Sequence, residues 1–205
     1  MTSATRVPPA EITGLFGALV KRMTHRKFGR TPDSLGVMWN HPTVLKDLMG
    51  FNRTADKWRE LDPELSSYAR MATAAMVGCD ACLDINYFKA HDEGLDEAKA
   101  REVPRWRESD VFTPTERRVM AYAEAMSRTP PAVTDEMSAE LLEELGAPAL
   151  LELTAKVGLM NTATRMNVTL GIHSEGYADA CALPPLDARA SATGDVPTEA
   201  VGSAP

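Results

Sequence analysis

Two cysteines separated by two residues, Cys79 and Cys82, are the side chains best suited to covalent chemistry in this chain. An alanine- and methionine-rich stretch before them predicts a helix over Pro63–Val77, and Gly78 is a natural helix stop. A second predicted helix, over residues 80–93, places both cysteines at or inside its first turn, where residues three apart share a face. Unpaired N–H groups and the helix dipole lower the pKa of a thiol at that position, and the thiolate is the nucleophile. The pattern predicts a redox-active dithiol.

Two other uses of the pair stay open at this point: a buried structural pair and a zinc site. A structural zinc site takes four ligands, and no second pair of Cys or His stands at a suitable spacing. His91 follows Cys82 by nine residues and falls on roughly the opposite helix face. No glycine-rich phosphate loop or dinucleotide fingerprint occurs either. Redox chemistry without a metal or another cofactor is therefore the expectation.

Polar residues around the pair are further candidates. Asn86 lies one turn after Cys82 on the same face, where it either holds a water or a peroxide oxygen or packs in the core. Asp80 stands between the cysteines, and negative charge beside a thiol raises its pKa and works against reactivity. We therefore expect Asp80 to cap the helix that begins there.

Composition sets bounds on the class of protein. The 205 residues are 44% hydrophobic and 25% charged, which is ordinary for one globular domain. A net charge of −7, with no basic stripe, excludes a nucleic-acid partner. No run of eighteen apolar residues occurs, so no membrane span is expected, and residues 1–9 lack the apolar core of a secretory signal. Three cysteines do not form a secreted disulfide framework, and we expect a cytoplasmic protein.

Helical periodicity runs through most of the chain, and no strand alternation occurs, so the fold class is all-α. The predicted helices span residues 11–26, 33–39, 43–58, 63–77, 80–93, 95–103, 113–127, 134–146 and 148–170, with an irregular link over 105–112. Residues 183–205 are rich in Pro, Ala, Ser, Thr and Gly and cannot bury enough surface to fold. We predict a flexible tail over 1–9, one helical domain over 10–182 and a disordered tail over 183–205.

Several segments together are typical of a known family. They are residues 61–63, 74–82 with both cysteines, 104–114, 122–126, 161–167 and 171–172. On these segments the chain resembles the carboxymuconolactone decarboxylase-like family, in its alkylhydroperoxidase D-like branch, over residues 11–183. A Cys-x-x-Cys motif after an alanine-rich helix in an all-α chain is fairly specific for this family, and much less specific for a substrate.

The resemblance implies an alkylhydroperoxidase D-like helical bundle that assembles as a homo-oligomer, as a trimer or a hexamer. It also implies thiol peroxidase or disulfide reductase chemistry. In that chemistry the second cysteine, here Cys82, attacks the peroxide and becomes a sulfenic acid, and the first, here Cys79, condenses with it as the resolving thiol. The implied partners are a hydroperoxide substrate and a dithiol reductant of the lipoyl or thioredoxin type.

The chain departs from the family pattern at three proton-relay positions. Ser67 stands where the best-known members carry a glutamate, and Ala81 and Asn86 stand at histidine positions. Serine and asparagine form hydrogen bonds but are not useful bases at neutral pH. Glu64, nearly one turn before Ser67, is either a replacement for that glutamate or a first-turn acid that favours the helix dipole. The candidate site is therefore Cys82, Cys79, Asn86, Ser67 and Glu64.

Two other functions remain open on the same scaffold. The family's name-giving branch decarboxylates a lactone without cysteines, and such a lyase or isomerase would use a pocket of His41, Asn86 and Arg165. The third hypothesis, motivated by the lost relay residues, is a non-enzymatic oligomeric helical protein whose cysteines sense or tolerate oxidation.

Overall fold

The computed structural model describes residues 5–180, and every regular element within them is helical, which confirms the all-α class. The predicted tail over 183–205, Cys181 and residues 1–4 lie outside the described residues. The helices are α1 Gly14–Phe28, α2 Asp33–Met38, α3 Pro42–Ala55, α4 Pro63–Val77, α5 Asp80–Asp92, α6 Glu97–Glu102, a 3-10 helix Val103–Glu108, α7 Pro114–Ser127, α8 Asp135–Leu170 and α9 Tyr177–Ala180.

Local signals account for the ends of the two central helices. Asp62 caps α4 by accepting hydrogen bonds from the N–H groups of Glu64 (2.8 Å) and Leu65 (3.3 Å). Gly78 ends the same helix in the left-handed region, with φ of 79°, which a residue with a Cβ adopts only with strain. The side chains and backbone N–H groups of Thr113 and Glu116 form the reciprocal capping box that opens α7.

Two of the predicted segments have a structure different in kind from the one expected. The segment predicted as an irregular link begins instead within the 3-10 helix Val103–Glu108. The two helices predicted on either side of Gly146 and Pro148 form one element, α8, in which Gly146 alone is non-helical, with φ of 78° and ψ of 161°. The proline ring is accommodated because it follows this break, so α8 has two arms rather than two separated helices.

α4 is the central helix of the core and packs against α5, α7 and α8. Its inward face contributes Tyr68, Met71 and Ala72, which are fully buried, and Leu153 of α8 and Val119 of α7 pack in the same cluster. Burying a Leu or Met side chain stabilises a fold by roughly 1.5–3 kcal/mol. The helix that leads into the cysteines is therefore anchored by several fully buried side chains.

Both ends of the described chain are tied to the domain. Arg6 donates its backbone N–H to the carbonyl of Leu170 (2.9 Å), and Asn40 donates to the carbonyl of Pro8 (2.9 Å). Near the other end, the buried carboxylate of Asp84 accepts hydrogen bonds from Ser174 Oγ (2.7 Å) and from the N–H of Tyr177 (2.9 Å). The predicted domain bounds stay a prediction. Among the described helices, none combines the length and the apolar character needed to cross a bilayer.

Candidate redox site

The two cysteines lie where α4 ends and α5 begins, bonded to each other as a disulfide with their Cα atoms 5.3 Å apart. Both are buried, with 1% and 2% of their surface exposed. Cys79 is the N-cap of α5, and its sulfur accepts a hydrogen bond from the N–H of Cys82 at 3.2 Å. The expectation that Asp80 caps this helix is wrong, because Asp80 is the first helical residue and its side chain accepts from Ala81 N–H.

The sulfur of Cys82 has a side-chain partner from the distant end of the chain. Asn167 of α8 donates its side-chain N–H to Cys82 Sγ at 3.3 Å. Asn86 lies one turn after Cys82 on α5. It donates to the carbonyl of Cys82 at 2.7 Å and contacts Met160 Sδ at 3.7 Å. A hydrogen-bond donor aimed at a sulfur stabilises its charged form, so Asn167 favours the thiolate when the disulfide is reduced.

Cys82 opens onto a cavity of about 210 Å³, which we call the thiol cavity. Three cationic side chains from three helices reach its wall, namely Arg70 of α4, Lys89 of α5 and Lys156 of α8. The described wall residues are Asn52, Ala55, Asp56, Arg70, Cys82, Ile85, Asn86, Lys89, Lys156, Leu159, Met160, Ala163 and Asn167. Cys82 and Asn86 are thus two of the predicted site residues that the fold brings together.

The cations of the thiol cavity are held by carboxylates. Asp56 lies 3.6 Å from the Arg70 guanidinium and 3.8 Å from the Lys89 ammonium. Arg70 Nε also donates to the side-chain oxygen of Asn86 at 3.1 Å. Lys156 is paired with Glu152 at 2.7 Å. Burial alone raises the pKa of Glu152, but the hydrogen bonds from Lys156 and two backbone N–H groups outweigh it and hold the pKa below its usual range.

Ser67 and Glu64 are not among the described wall residues of the thiol cavity. Ser67 is buried in the wall of a second cavity of about 390 Å³, which shares Arg70, Lys89 and Lys156 with the thiol cavity. Glu64 accepts a hydrogen bond from the Tyr68 hydroxyl at 2.5 Å. Burial, followed by this hydrogen bond to a carboxylate, raises the pKa of Tyr68 far above its usual value. Glu64 is therefore engaged with a buried tyrosine, one turn along α4.

The pocket suggested for a cysteine-independent enzyme does not form. His41 caps α3, its Nδ1 accepting from the N–H of Val44 at 3.3 Å. Arg165 donates to the carbonyl of Ser127 at 2.6 Å and lines a separate cavity beside the end of α7. Asn86 lies in the thiol cavity, so the three residues serve three different places.

A larger apolar groove of about 830 Å³ adjoins the thiol cavity. The two share Asn52, Asp56, Leu159, Ala163 and Asn167 in their walls. The remaining apolar wall comes from α1, α2, α3 and α8, namely Phe16, Leu19, Val20, Met23, Met38, Leu48, Met49 and Met166. A molecule that reaches Cys82 therefore meets an apolar surface on one side and a cationic one on the other.

Sequence reasoning missed the cations and Asn167, although part of the signal was present. Lys89 follows Cys82 by seven residues, two helical turns, which places both on one face of α5. Lys156 and Asn167 are eleven residues apart, three turns of α8. What no local pattern showed is that these faces converge. Within the described residues, no cluster of three or more His, Cys, Asp or Glu side chains is placed to hold a metal ion.

Comparison with known proteins finds a family that part of this chain resembles. The model of the carboxymuconolactone decarboxylase family matches residues 42–125, which include both cysteines. The uncharacterized protein YnjA of Escherichia coli is 37% identical over 124 residues, 60% of this chain and 66% of the relative. The uncharacterized protein Rv2313c of Mycobacterium tuberculosis is 26% identical over 137 residues, 66% of this chain and 48% of the relative. The chain thus matches less than two thirds of either relative's length.

Solved structures show the same fold at low sequence identity. A cysteine-to-alanine variant of the debrominase Bmp8, in complex with 2,3,4-tribromopyrrole, is 20% identical with a TM-score of 0.75, covering 88% of this chain and 97% of that one. The alkylhydroperoxidase AhpD core of an uncharacterized peroxidase-related protein from Ralstonia eutropha is 16% identical with a TM-score of 0.73, covering 86% and 96%. These similarities establish the AhpD-like helical fold.

Proposed function

We propose that this chain, which matches the carboxymuconolactone decarboxylase family over residues 42–125 and has the AhpD-like fold, is a thiol peroxidase that reduces hydroperoxides with a Cys79/Cys82 dithiol. The observation that supports the proposal most directly is the position of Cys82. Cys82 is bonded to Cys79 and is also a wall residue of the thiol cavity, so one residue has both a resolving partner and a neighbouring cavity for a substrate.

The proposed cycle has three steps. The Cys82 thiolate attacks the terminal oxygen of ROOH, the O–O bond breaks, and one proton is taken up as ROH leaves and Cys82 becomes a sulfenic acid. The Cys79 thiol then displaces water from that sulfenic acid, forming the disulfide. A dithiol of the lipoyl or thioredoxin type reduces the disulfide, giving two thiols on the protein and a disulfide on the donor.

In this proposal, hydrogen-bond donors and positive charges near Cys82 stabilise its thiolate, in place of a base that would remove the proton from the thiol. Asn167 donates to the sulfur, and the guanidinium of Arg70 and the ammonium groups of Lys89 and Lys156 line the same cavity. Opposite charge favours the ionised form of a thiol, and it also stabilises the negative charge that develops on the leaving oxygen. The Cys82 thiolate would then form without a Glu/His relay.

The other predicted residues take supporting roles in this proposal. Asn86 positions Arg70 through its side-chain oxygen while its amide holds the carbonyl of Cys82. Ser67 lines the neighbouring cavity, whose wall also includes the same three cations. The contact of Glu64 with Tyr68 supports a structural role, and a role as proton donor remains a prediction that Glu64→Gln tests. Homo-oligomerisation and a cytoplasmic location also remain predictions.

The test is peroxide consumption by the reduced protein with a dihydrolipoyl donor. Wild type is expected to turn over, Cys82→Ser to lose turnover, and Cys79→Ser to stop after one equivalent with an oxygen added to Cys82 by mass spectrometry. Cys181→Ser is the matched control and should turn over like wild type. Peroxide turnover by the Cys82→Ser variant would contradict the proposal.

A further inference from the structure

Two sulfur-containing residues line the thiol cavity, and the proposed cycle uses only one of them. Cys82 is the first and Met160 of α8 is the second, and among the described wall residues no other side chain contains sulfur. Met160 also belongs to the buried cluster that contains Ala74, Cys79 and Cys82. It is 9% exposed, so the cavity is a route by which a small molecule comes close to an otherwise buried side chain.

A hydrogen-bond donor is directed at the Met160 sulfur. The side-chain nitrogen of Asn86 lies 3.7 Å from Met160 Sδ, and the same nitrogen donates to the carbonyl of Cys82 at 2.7 Å. Arg70 Nε donates to the Asn86 side-chain oxygen at 3.1 Å, so the amide is held at both ends. A thioether sulfur is a weak acceptor. An oxygen atom added to that sulfur is a stronger acceptor, and the amide of Asn86 is placed to donate to it.

In the disulfide form, Met160 is the nucleophilic sulfur that remains beside the cavity. The bond between Cys79 and Cys82 removes the thiolate, which is the stronger nucleophile of the reduced protein. The thioether of Met160 has no proton to lose before it reacts. The cavity, at about 210 Å³, has room for roughly seven water-sized groups at about 30 Å³ each, so a small peroxide fits in it. A peroxide that enters after the thiols are consumed therefore meets Met160.

We propose that Met160 is a site of reversible oxidation by hydroperoxides, which reacts in the disulfide form and makes Cys82 less reactive after reduction. The thioether sulfur attacks the terminal oxygen of ROOH, and the O–O bond breaks. That oxygen stays on the sulfur as a sulfoxide, and its proton passes to the alkoxide, which leaves as ROH. The sulfur loses two electrons and the peroxide gains them, with no net uptake of a proton.

A sulfoxide at Met160 changes the surroundings of Cys82 in two ways. It places a polar oxygen in an otherwise apolar cluster, beside Ala74 and Cys79. It also competes with the carbonyl of Cys82 for the amide of Asn86. Both changes act on the first turn of α5, where Cys82 lies. Methionine sulfoxide reductases reverse the modification, so the effect on Cys82 should be reversible as well.

The first experiment follows oxidation at each methionine when the full-length disulfide form is treated with hydrogen peroxide. Peptide mass spectrometry should find sulfoxide at Met160 about tenfold faster or more than at Met71 and Met120, which are fully buried in the main core. These two line none of the cavities described above, and they also report that the fold stays intact, because unfolding would expose all three. Oxidation of Met160 no faster than that of Met71 and Met120 overturns the proposal.

The second experiment measures the effect on Cys82. The peroxide-treated protein is reduced with dithiothreitol, and alkylation of Cys82 by iodoacetamide is followed by mass spectrometry of its peptide. Alkylation should be roughly threefold slower than in untreated protein, since one neutral hydrogen bond beside Cys82 is redirected, and methionine sulfoxide reductases should restore it. Met160→Leu, which conserves volume, should show the same rate before and after peroxide. An unchanged rate in wild type, or an equal loss in Met160→Leu, overturns the effect on Cys82.

Neither experiment depends on the proposed peroxidase activity. Sulfoxide at Met160 without peroxide turnover keeps the oxidation site and removes the proposed function. Turnover with Met160 no more reactive than Met71 and Met120 keeps the proposed function and removes the oxidation site. When both hold, Met160 of reduced wild type should stay unmodified until the thiols are consumed, whereas Met160 of the Cys82→Ser variant should react from the start.

Discussion

Replacing Asn167 by alanine removes the hydrogen bond to Cys82 Sγ, and its effect on the proposed peroxide reaction should change sign with pH. A hydrogen bond to a charged group contributes about 1.5–3 kcal/mol. The side chain of Asn167 is only partly buried, so water replaces part of the bond, and we take about 1.4 kcal/mol. That amounts to roughly a tenfold smaller thiolate fraction wherever the thiol is mainly protonated.

The remaining thiolate becomes more nucleophilic as it loses its donor. With a Brønsted coefficient of about 0.4–0.5, a tenfold change in basicity raises its reactivity roughly threefold. Below the midpoint of thiol ionisation, the variant should therefore react about three- to fourfold more slowly than wild type, from the two factors together. Well above the midpoint, where both proteins are thiolates, the variant should react about threefold faster.

The assay is the second-order rate of Cys82 oxidation by cumene hydroperoxide, measured by stopped flow from about pH 5 to pH 10. Asn161→Ala is the control, because Asn161 is also on α8 but donates to Ser127 Oγ at 2.9 Å and to the carbonyl of Val157. Its profile should follow wild type. Parallel profiles for the Asn167→Ala variant and wild type at every pH would refute the thiolate argument.

Other predictions concern the frame that holds the site. Glu152→Ala should destabilise the fold by about 3 kcal/mol in urea titrations, because it leaves Lys156 buried without its partner; a loss below about 1 kcal/mol would contradict this. Because the pKa of Glu152 is depressed in the fold, its stabilisation is complete above the unfolded value of about 4.3 and is lost as pH falls through the folded value; Glu152→Gln should flatten this acid limb. Thr113→Ala should cost about 1 kcal/mol of unfolding free energy as the capping box is lost, whereas Thr162→Ala on exposed α8 surface should cost less. Gly78→Ala, at φ of 79° with no atom within 4 Å of the new Cβ, should cost about 1–2 kcal/mol through backbone strain alone, and an unchanged melting temperature would count against that reading.

Most of the helix ends around the cysteines could be predicted because the sequence signals for them are local. Asp62 and Pro63 set the start of α4, and Gly78 sets its end. The helix in the structure has the predicted bounds. The Thr113–Glu116 capping box fixes the start of α7 in the same way. Such residues act on backbone groups no more than a few positions away, so the sequence alone contains the whole interaction.

The parts that could not be predicted depend on contacts between distant segments. Asn167 reaches Cys82 across 85 residues, and Lys156 lies in a cavity with Arg70 only because α4 and α8 pack together. The prediction that Asp80 caps α5 was wrong for a different reason. Aspartate is a more common N-cap residue than cysteine, but Cys79 occupies the N-cap position and its sulfur accepts the N–H of Cys82, while Asp80, the first helical residue, accepts the N–H of Ala81.

That cap links the stability of the fold to its oxidation state. The Cys79 sulfur that accepts the N–H of Cys82 is one of the two atoms that the redox reaction changes. In a closed thermodynamic cycle, any difference in folding free energy between the dithiol and disulfide forms equals the difference in reduction free energy between the folded and unfolded chains. For a two-electron couple, each 1.4 kcal/mol corresponds to about 30 mV. Calorimetric unfolding of the two forms, and dithiothreitol titrations of the native and of the unfolded protein, therefore measure the same quantity along the two pairs of sides of one cycle.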